Sequence, residues 1–213
     1  MAIYKIISVL LCYPEQDLLD SIPTIKQLLA DEKVATHQLT PLLTELTTTD
    51  LITLQENYVQ TFDRTPTHSL HLFEHIHGED RIRGQAMVDL MEEYKAAGFE
   101  LVSDELPDYL PLFLEFLTIC DEDKATALLG EAIDVISHLG NKLAADNSVY
   151  AGIFQVLESL SPVKPKPLTT PPIRDMDEAL EKFGPNPEGI EPLLQINSSN
   201  TCMASTTLER QAK

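Results

Sequence analysis

Basic residues are scarce in this sequence: 15 lysines and arginines stand against 34 aspartates and glutamates, a formal charge of -19 over 213 residues. Such a chain repels phosphate backbones and anionic lipid, which excludes nucleic acid and membrane surfaces as partners; a basic segment is what its field attracts. Cysteine is scarce as well. Cys12, Cys120 and Cys202 are far apart and odd in number, and no CxxC pair occurs. Neither a zinc site nor a disulfide framework is indicated, and the usage fits a reducing compartment. The eight glycines are scattered, and Gly78 and Gly84 do not make a phosphate-cradling loop. No GxSxG elbow marks an activated serine. No apolar run approaches the ~18–20 residues that span a bilayer, and no segment shows the alternation or the turn signals of paired strands. The apolar stretch 1–13 has its one lysine, Lys5, inside it and is broken by Ser8. It lacks a small-residue cleavage pattern, so it reads as a helix rather than a secretory leader, and the protein as cytoplasmic.

What is present is helical periodicity. Ile3, Ile6, Ile7, Leu10 and Leu11 form one stripe, ended by Pro14. Leu18, Leu19, Ile22, Ile25, Leu28 and Leu29 form a second, which Pro23 should kink or split. A short third carries Leu39, Leu42, Leu43 and Leu46. Asp50 is placed to cap a fourth, with Leu51, Leu54, Tyr58 and Phe62 on one side. Ser69 is positioned to cap a short turn through Leu70, Leu72 and Phe73. A further helix should end at Gly98 and bury Ile82, Ala86, Leu90 and Tyr94. Residues 106–120 are apolar nearly all round, the pattern of the most buried helix. Asp121 or Asp123 should open the next helix, and Ser148 should cap the last, which carries Ile153, Phe154, Val156, Leu157 and Leu160. The expected architecture is all-α, a single bundle of about seven to nine helices with short connections. At Ser161 the composition shifts: eight of the 14 prolines fall between Pro162 and Pro192. The expected division is therefore a helical domain over 1–160 and a proline-rich, largely disordered tail over 161–213, with one short helix over 175–183.

Candidate chemistry is thin. His68, His71 and His75 fall at i, i+3 and i+7, one helical face, but the spacing is not HExxH and a metal needs three or four converging ligands. Carboxylates are too numerous for any pair to stand out. The reading is no enzyme, no metal and no cofactor. Two stretches are richer than helix packing requires. The first runs from Tyr58 through Phe62, Asp63, Leu72, Glu74 and His75 to Glu79, Arg81 and Arg83. The second is Glu105-Leu106-Pro107-Asp108-Tyr109, in which Pro107 suits the first turn of the following helix. Bottom-up they describe either a polar, aromatic-edged surface beside an apolar helix or a core aromatic cluster with internal salt bridges.

The runs YVQTFDRTPTHSLHLFEHIHGEDRIRGQAM, YKAAGFEL and ELPDYLPLFLEFL resemble the nitrate reductase molybdenum cofactor assembly chaperones (the NarJ/NarW family), relatives of the TorD-type maturation proteins. The resemblance covers residues 3–160. It implies an all-helical, non-enzymatic, cytoplasmic chaperone. Its client is the N-terminal segment of the apo catalytic (alpha) subunit of nitrate reductase, held ready for insertion of the molybdenum cofactor and an iron–sulfur cluster before membrane docking. Molybdenum cofactor biosynthesis proteins are further implied partners. Tyr109 stands where the wider TorD-type group carries a histidine, which removes any role borrowed from that residue. On this reading Tyr58, Phe62, Asp63, Leu72, Glu74, His75, Glu105, Pro107, Asp108 and Tyr109 are expected to bind the client peptide, while Glu79, Arg81 and Arg83 brace the loops, through Asp63 or Glu79. A generic helical adaptor and a histidine-based metal enzyme are the alternatives.

Overall fold

A computed structural model describes residues 2–31, 36–77, 81–101 and 105–168, apart from the side chains of Asp31 and Arg81. Gly78, Glu79 and Asp80, the side chain of Arg81, and the tail from 169 onward, with its helix expected over 175–183, lie outside the described residues. Nine α-helices occur among the described residues: α1 (Ala2–Leu10), α2 (Gln16–Asp31), α3 (Thr40–Thr48), α4 (Leu51–Tyr58), α5 (Glu74–His77), α6 (Arg81–Ala96), α7 (Leu110–Ile119), α8 (Glu122–Ala145) and α9 (Ala151–Leu160). No strand occurs among these residues, only one isolated antiparallel bridge between His71 and Tyr109. The protein is all-α.

Local chemistry sets most of the boundaries. Asp50 caps α4 by accepting from the Thr53 N–H at 3.1 Å, and Asp121 caps α8 by accepting from the Lys124 N–H at 2.8 Å. The Thr53 hydrogen bonds hold the Asp50 carboxyl below its usual range. Gly98, at φ 74°, ends α6, and the N–H of Phe99 returns to the Tyr94 carbonyl at 2.9 Å, closing the left-handed stop that a side chain disfavours. Pro23 neither splits nor ends α2, which runs through it. Two other expectations are corrected. Pro111, not Pro107, occupies the first turn of α7, because the chain at 107–109 is held in a loop by its bond to residue 72. Ser148 does not cap α9, which starts at Ala151 after Tyr150; its hydroxyl instead accepts from the Tyr150 N–H at 3.4 Å.

α1 lies along α7, and α8 along α9. Ser8 of α1 donates to the Pro111 carbonyl at 2.8 Å, and Lys5 pairs with Glu115 on the outer edge of the same contact. α7 is the apolar helix it was expected to be: Leu110, Leu114, Phe116 and Leu117 are completely buried. Each such side chain contributes about 1.5–3 kcal/mol over leaving it in water. α9 approaches its neighbours closely at two glycines. A Cβ on Gly140 of α8 would lie 2.5 Å from Phe154, and one on Gly152 of α9 would lie 2.0 Å from the Gln38 carbonyl oxygen. α6 is the exception to the burial pattern. Of its expected core residues only Tyr94 is buried, Leu90 is half-buried, and Ile82 is 58% exposed. After Leu160 the chain does not leave at once. Pro162 and Val163 pack over Gly130, and the Lys166 N–H donates to the Asp134 carboxylate at 2.7 Å.

Candidate functional site

α4 does not stop at Tyr58 but widens into a π turn, Val59–Asp63, closed by the Arg64 N–H on the Val59 carbonyl at 2.9 Å. The extra residue turns Tyr58 and Phe62 inward together, with ring centroids 4.9 Å apart, and Tyr150 closes the cluster at 4.9 Å from Phe62. The carbonyls freed at the end of the turn are taken up nearby: Thr65 Oγ1 donates to Gln60 at 2.9 Å, and His68 Nδ1 donates to Thr61 at 3.0 Å. The second nitrogen of His68 faces Asp146 at 3.1 Å. The Tyr58 hydroxyl donates to the Leu11 carbonyl at 2.9 Å, tying the π turn to the end of α1.

The other half of the site is built by Asp108, whose side chain is fully buried. One carboxylate oxygen accepts from the Phe73 N–H at 3.1 Å and the other from His71 Nδ1 at 3.2 Å, while its backbone carbonyl accepts from the Leu72 N–H at 3.0 Å. The Leu110 N–H returns to the Leu70 carbonyl at 2.8 Å. These four bonds clamp 70–73 against 108–110. The hydrogen bond from Asp108, and then its charge, raise the pKa of His71 against the desolvation that lowers it. His75, buried in α5, donates from Nε2 to the Ser69 carbonyl at 2.7 Å. The three histidines therefore do not share a helical face: they sit in a 3₁₀ turn, a bridge and a separate short helix, each with its own partner. Among the described residues no group of three or more His, Cys, Asp or Glu is placed to hold a metal.

Between the π turn and the clamp lies a cleft of about 370 Å³ lined by Tyr13, Tyr58, Phe62, Asp63, Ser69, Leu70, His71, Glu105 and Tyr109. Tyr58 and Phe62 are buried at its floor, while Tyr13, 43% exposed, and the half-buried Tyr109 stand at its mouth. Tyr13 is edge-on to Tyr58, with centroids 5.5 Å apart. The Tyr109 hydroxyl lies 3.4 Å from that of Tyr58, which has already given its proton to Leu11, so Tyr109 donates and Tyr58 accepts. Burial pushes Tyr109 up to about 12, with Glu105 and Asp63 adding in the same direction. Asp63 and Glu105 are exposed and form no ion pair among the described residues.

Of the residues expected to bind a client, five meet in this cleft: Tyr58, Phe62, Asp63, Glu105 and Tyr109. The other five do not. Leu72 lines a separate apolar pocket with Phe73, Ile76, Leu90 and Phe113. Asp108 and His75 are interior hydrogen-bonding groups, and Pro107 is buried, its carbonyl accepting from the Tyr94 hydroxyl at 2.7 Å. Glu74 pairs with Arg83 at 3.1 Å; of the partners expected for Arg83, Asp63 forms no ion pair with it and Glu79 lies outside the described residues. Tyr13, Ser69, Leu70 and His71 were not anticipated. Ser69, Leu70 and His71 lie inside the first of the two unusual stretches, and Tyr13 carried a signal as an aromatic placed just after a helix and just before Pro14.

The family described as nitrate reductase delta subunit matches residues 26–155. The nitrate reductase molybdenum cofactor assembly chaperone NarJ of Escherichia coli (strain K12) is 40% identical over 163 residues, covering 73% of this chain and 68% of its own. The probable chaperone of the same description, NarW, from that strain is 36% identical over 165 residues, 76% of this chain and 68% of its own. The probable NarJ of Bacillus subtilis (strain 168) is 29% identical over 158 residues, 72% and 85% of the two chains.

Proposed function

The chain belongs to the nitrate reductase delta subunit family, whose NarJ-type members are assembly chaperones and not enzymes, and from that membership we propose that it serves molybdenum cofactor assembly of a nitrate reductase by holding the N-terminal segment of the apo catalytic subunit. The observation that carries the finer part is convergence. Segments 58–71 and 105–109 of the two stretches that bear the family resemblance, more than thirty residues apart in sequence, fold onto one aromatic cleft rimmed by carboxylates. A cleft of this kind suits a short amphipathic segment that presents apolar and basic side chains together, recognised by the face of a helix laid across it. Holding that segment keeps the subunit open for cofactor and iron–sulfur cluster insertion and delays its docking at the membrane. The function places the protein in the cytoplasm. The helical body over 1–160 carries the client, and molybdenum cofactor biosynthesis proteins are further partners.

The test is co-expression with the full catalytic subunit and with the same subunit lacking its N-terminal segment. Co-purification of the full subunit, its loss on truncation, and a fall in molybdenum content when the chaperone is omitted are expected. Equal recovery of the two subunit forms would rule out the N-terminal segment as the client site.

A further inference from the structure

We propose, resting on the client reading above, that the cleft between the π turn and the Asp108 clamp is a receptor for one arginine side chain of the client. Its hydrogen-bonding inventory is one-sided. The Tyr58 proton is spent on Leu11 and the Tyr109 proton on Tyr58, and Ser69 Oγ accepts from the His71 N–H at 3.3 Å. His71 Nδ1 is held by Asp108. What remains at the opening, besides the hydroxyl protons of Ser69 and Tyr13, is a set of acceptors led by the two charged carboxylates of Asp63 and Glu105 and joined by the phenol oxygens. A guanidinium is the complementary group, with five N–H donors in a planar fork and no acceptor.

The walls point the same way. Tyr13 and Tyr109 present partly exposed rings at the mouth, and a ring face attracts a weakly hydrated planar cation. Among the described residues no cation fills the place. Arg64, beside Asp63 in sequence, lies in a neighbouring depression with Ile52, Gln55 and Val59, and Lys5 is paired with Glu115. If His71 is protonated its charge is answered by buried Asp108, which leaves Asp63 and Glu105 unopposed. At about 370 Å³ the cleft takes a side chain and not a helix, whose diameter with side chains is about 10–12 Å. The client's backbone therefore lies outside and inserts one long side chain.

The experiment is calorimetric titration of the full chain with a synthetic peptide covering the N-terminal segment of the catalytic subunit. Each arginine is replaced in turn by citrulline, which keeps the shape and removes the charge. One position is expected to lose at least tenfold in affinity and the others less than about threefold, with lysine at the sensitive position in between. Against the double variant Asp63→Asn/Glu105→Gln the citrulline penalty should largely vanish, the mark of a direct pair. A peptide that binds tightly but loses less than threefold at every position, or a penalty that persists in the double variant, overturns the arginine receptor and leaves the client reading standing. A peptide that does not bind overturns the client reading. The cleft is then judged alone by titrating N-acetyl-arginine methylamide and watching the tyrosine ring resonances. Shifts at Tyr13 and Tyr109 that the double variant abolishes support it, and unmoved resonances refute it.

Discussion

Asp108→Ala removes an acceptor from the most buried charged site among the described residues, and its consequence can be worked from the geometry. The substitution leaves the Phe73 N–H without a partner and takes the imidazole of His71 off its carboxylate, while the backbone bond from Leu72 to residue 108 survives. An orphaned buried donor costs about 1–3 kcal/mol and a lost charge-assisted bond about 1.5–3 kcal/mol, so the total falls near 3–5 kcal/mol. For a chain of this size each kcal/mol moves the midpoint of thermal unfolding by about 2–4 °C, giving a fall of about 10 °C. Asp108→Asn keeps one acceptor for Phe73 but loses the charge and sets an amide NH2 against His71 Nδ1, which must take its other tautomer, so it should cost about 1–2 kcal/mol. Circular dichroism melts of the two variants measure this. An alanine variant within 2 °C of the parent would refute the clamp. The same reasoning separates Asp108 from the cleft: at a temperature where both proteins are folded, Asp108→Asn should change peptide affinity less than Glu105→Gln, although sequence alone grouped the two.

The pH dependence follows from His71. Its pKa is raised in the folded protein, so the pair with Asp108 contributes fully below the unfolded value of about 6.5 and loses its contribution as pH rises through the folded value. The difference in melting temperature between the parent and His71→Phe should thus be largest near pH 6 and shrink towards pH 9, and a constant difference would contradict the assignment. Two glycine-to-alanine changes should have opposite signs. Gly140→Ala forces a methyl to within 2.5 Å of Phe154 between α8 and α9 and should destabilise by about 1–3 kcal/mol, whereas Gly84→Ala in α6 meets nothing within 4 Å and should stabilise by about 0.5–1 kcal/mol. Urea unfolding of both reads the signs directly.

The elements whose cause is local were legible in the sequence. Asp50 and Asp121 cap because a carboxylate before an apolar run can reach the third N–H, and Gly98 stops α6 because only that residue enters the left-handed region without strain. The buried character of α7 was equally plain, since residues 110–117 offer hardly a polar side. The site was half legible. Tyr58, Phe62, Asp63, Glu105 and Tyr109 could be named from the two unusual stretches, but their roles could not be told from those of Asp108, His75 and Leu72. That distinction is made by the π turn and the 71/109 bridge. The bridge arises from hydrogen bonds between residues more than thirty positions apart and the π turn from a local bond five residues back, and no helical periodicity carries either. The three histidines looked like one helical face because their spacing was read without the extended stretch between them. Ile82 looked like core because helical spacing shows which residues share a face, not whether another element covers it.

On the proposed function, this acidic helical protein grips the N-terminal segment of a nitrate reductase catalytic subunit in the Tyr58–Tyr109 cleft. Calorimetric titration with that peptide at low and moderate salt, for the parent and for Tyr109→Ala, tests it most directly. Saturable one-to-one binding is expected, weakening as salt screens Asp63 and Glu105 and falling at least tenfold when Tyr109 is truncated. Binding that ignores both salt and Tyr109, or no binding to the folded parent protein, would contradict it.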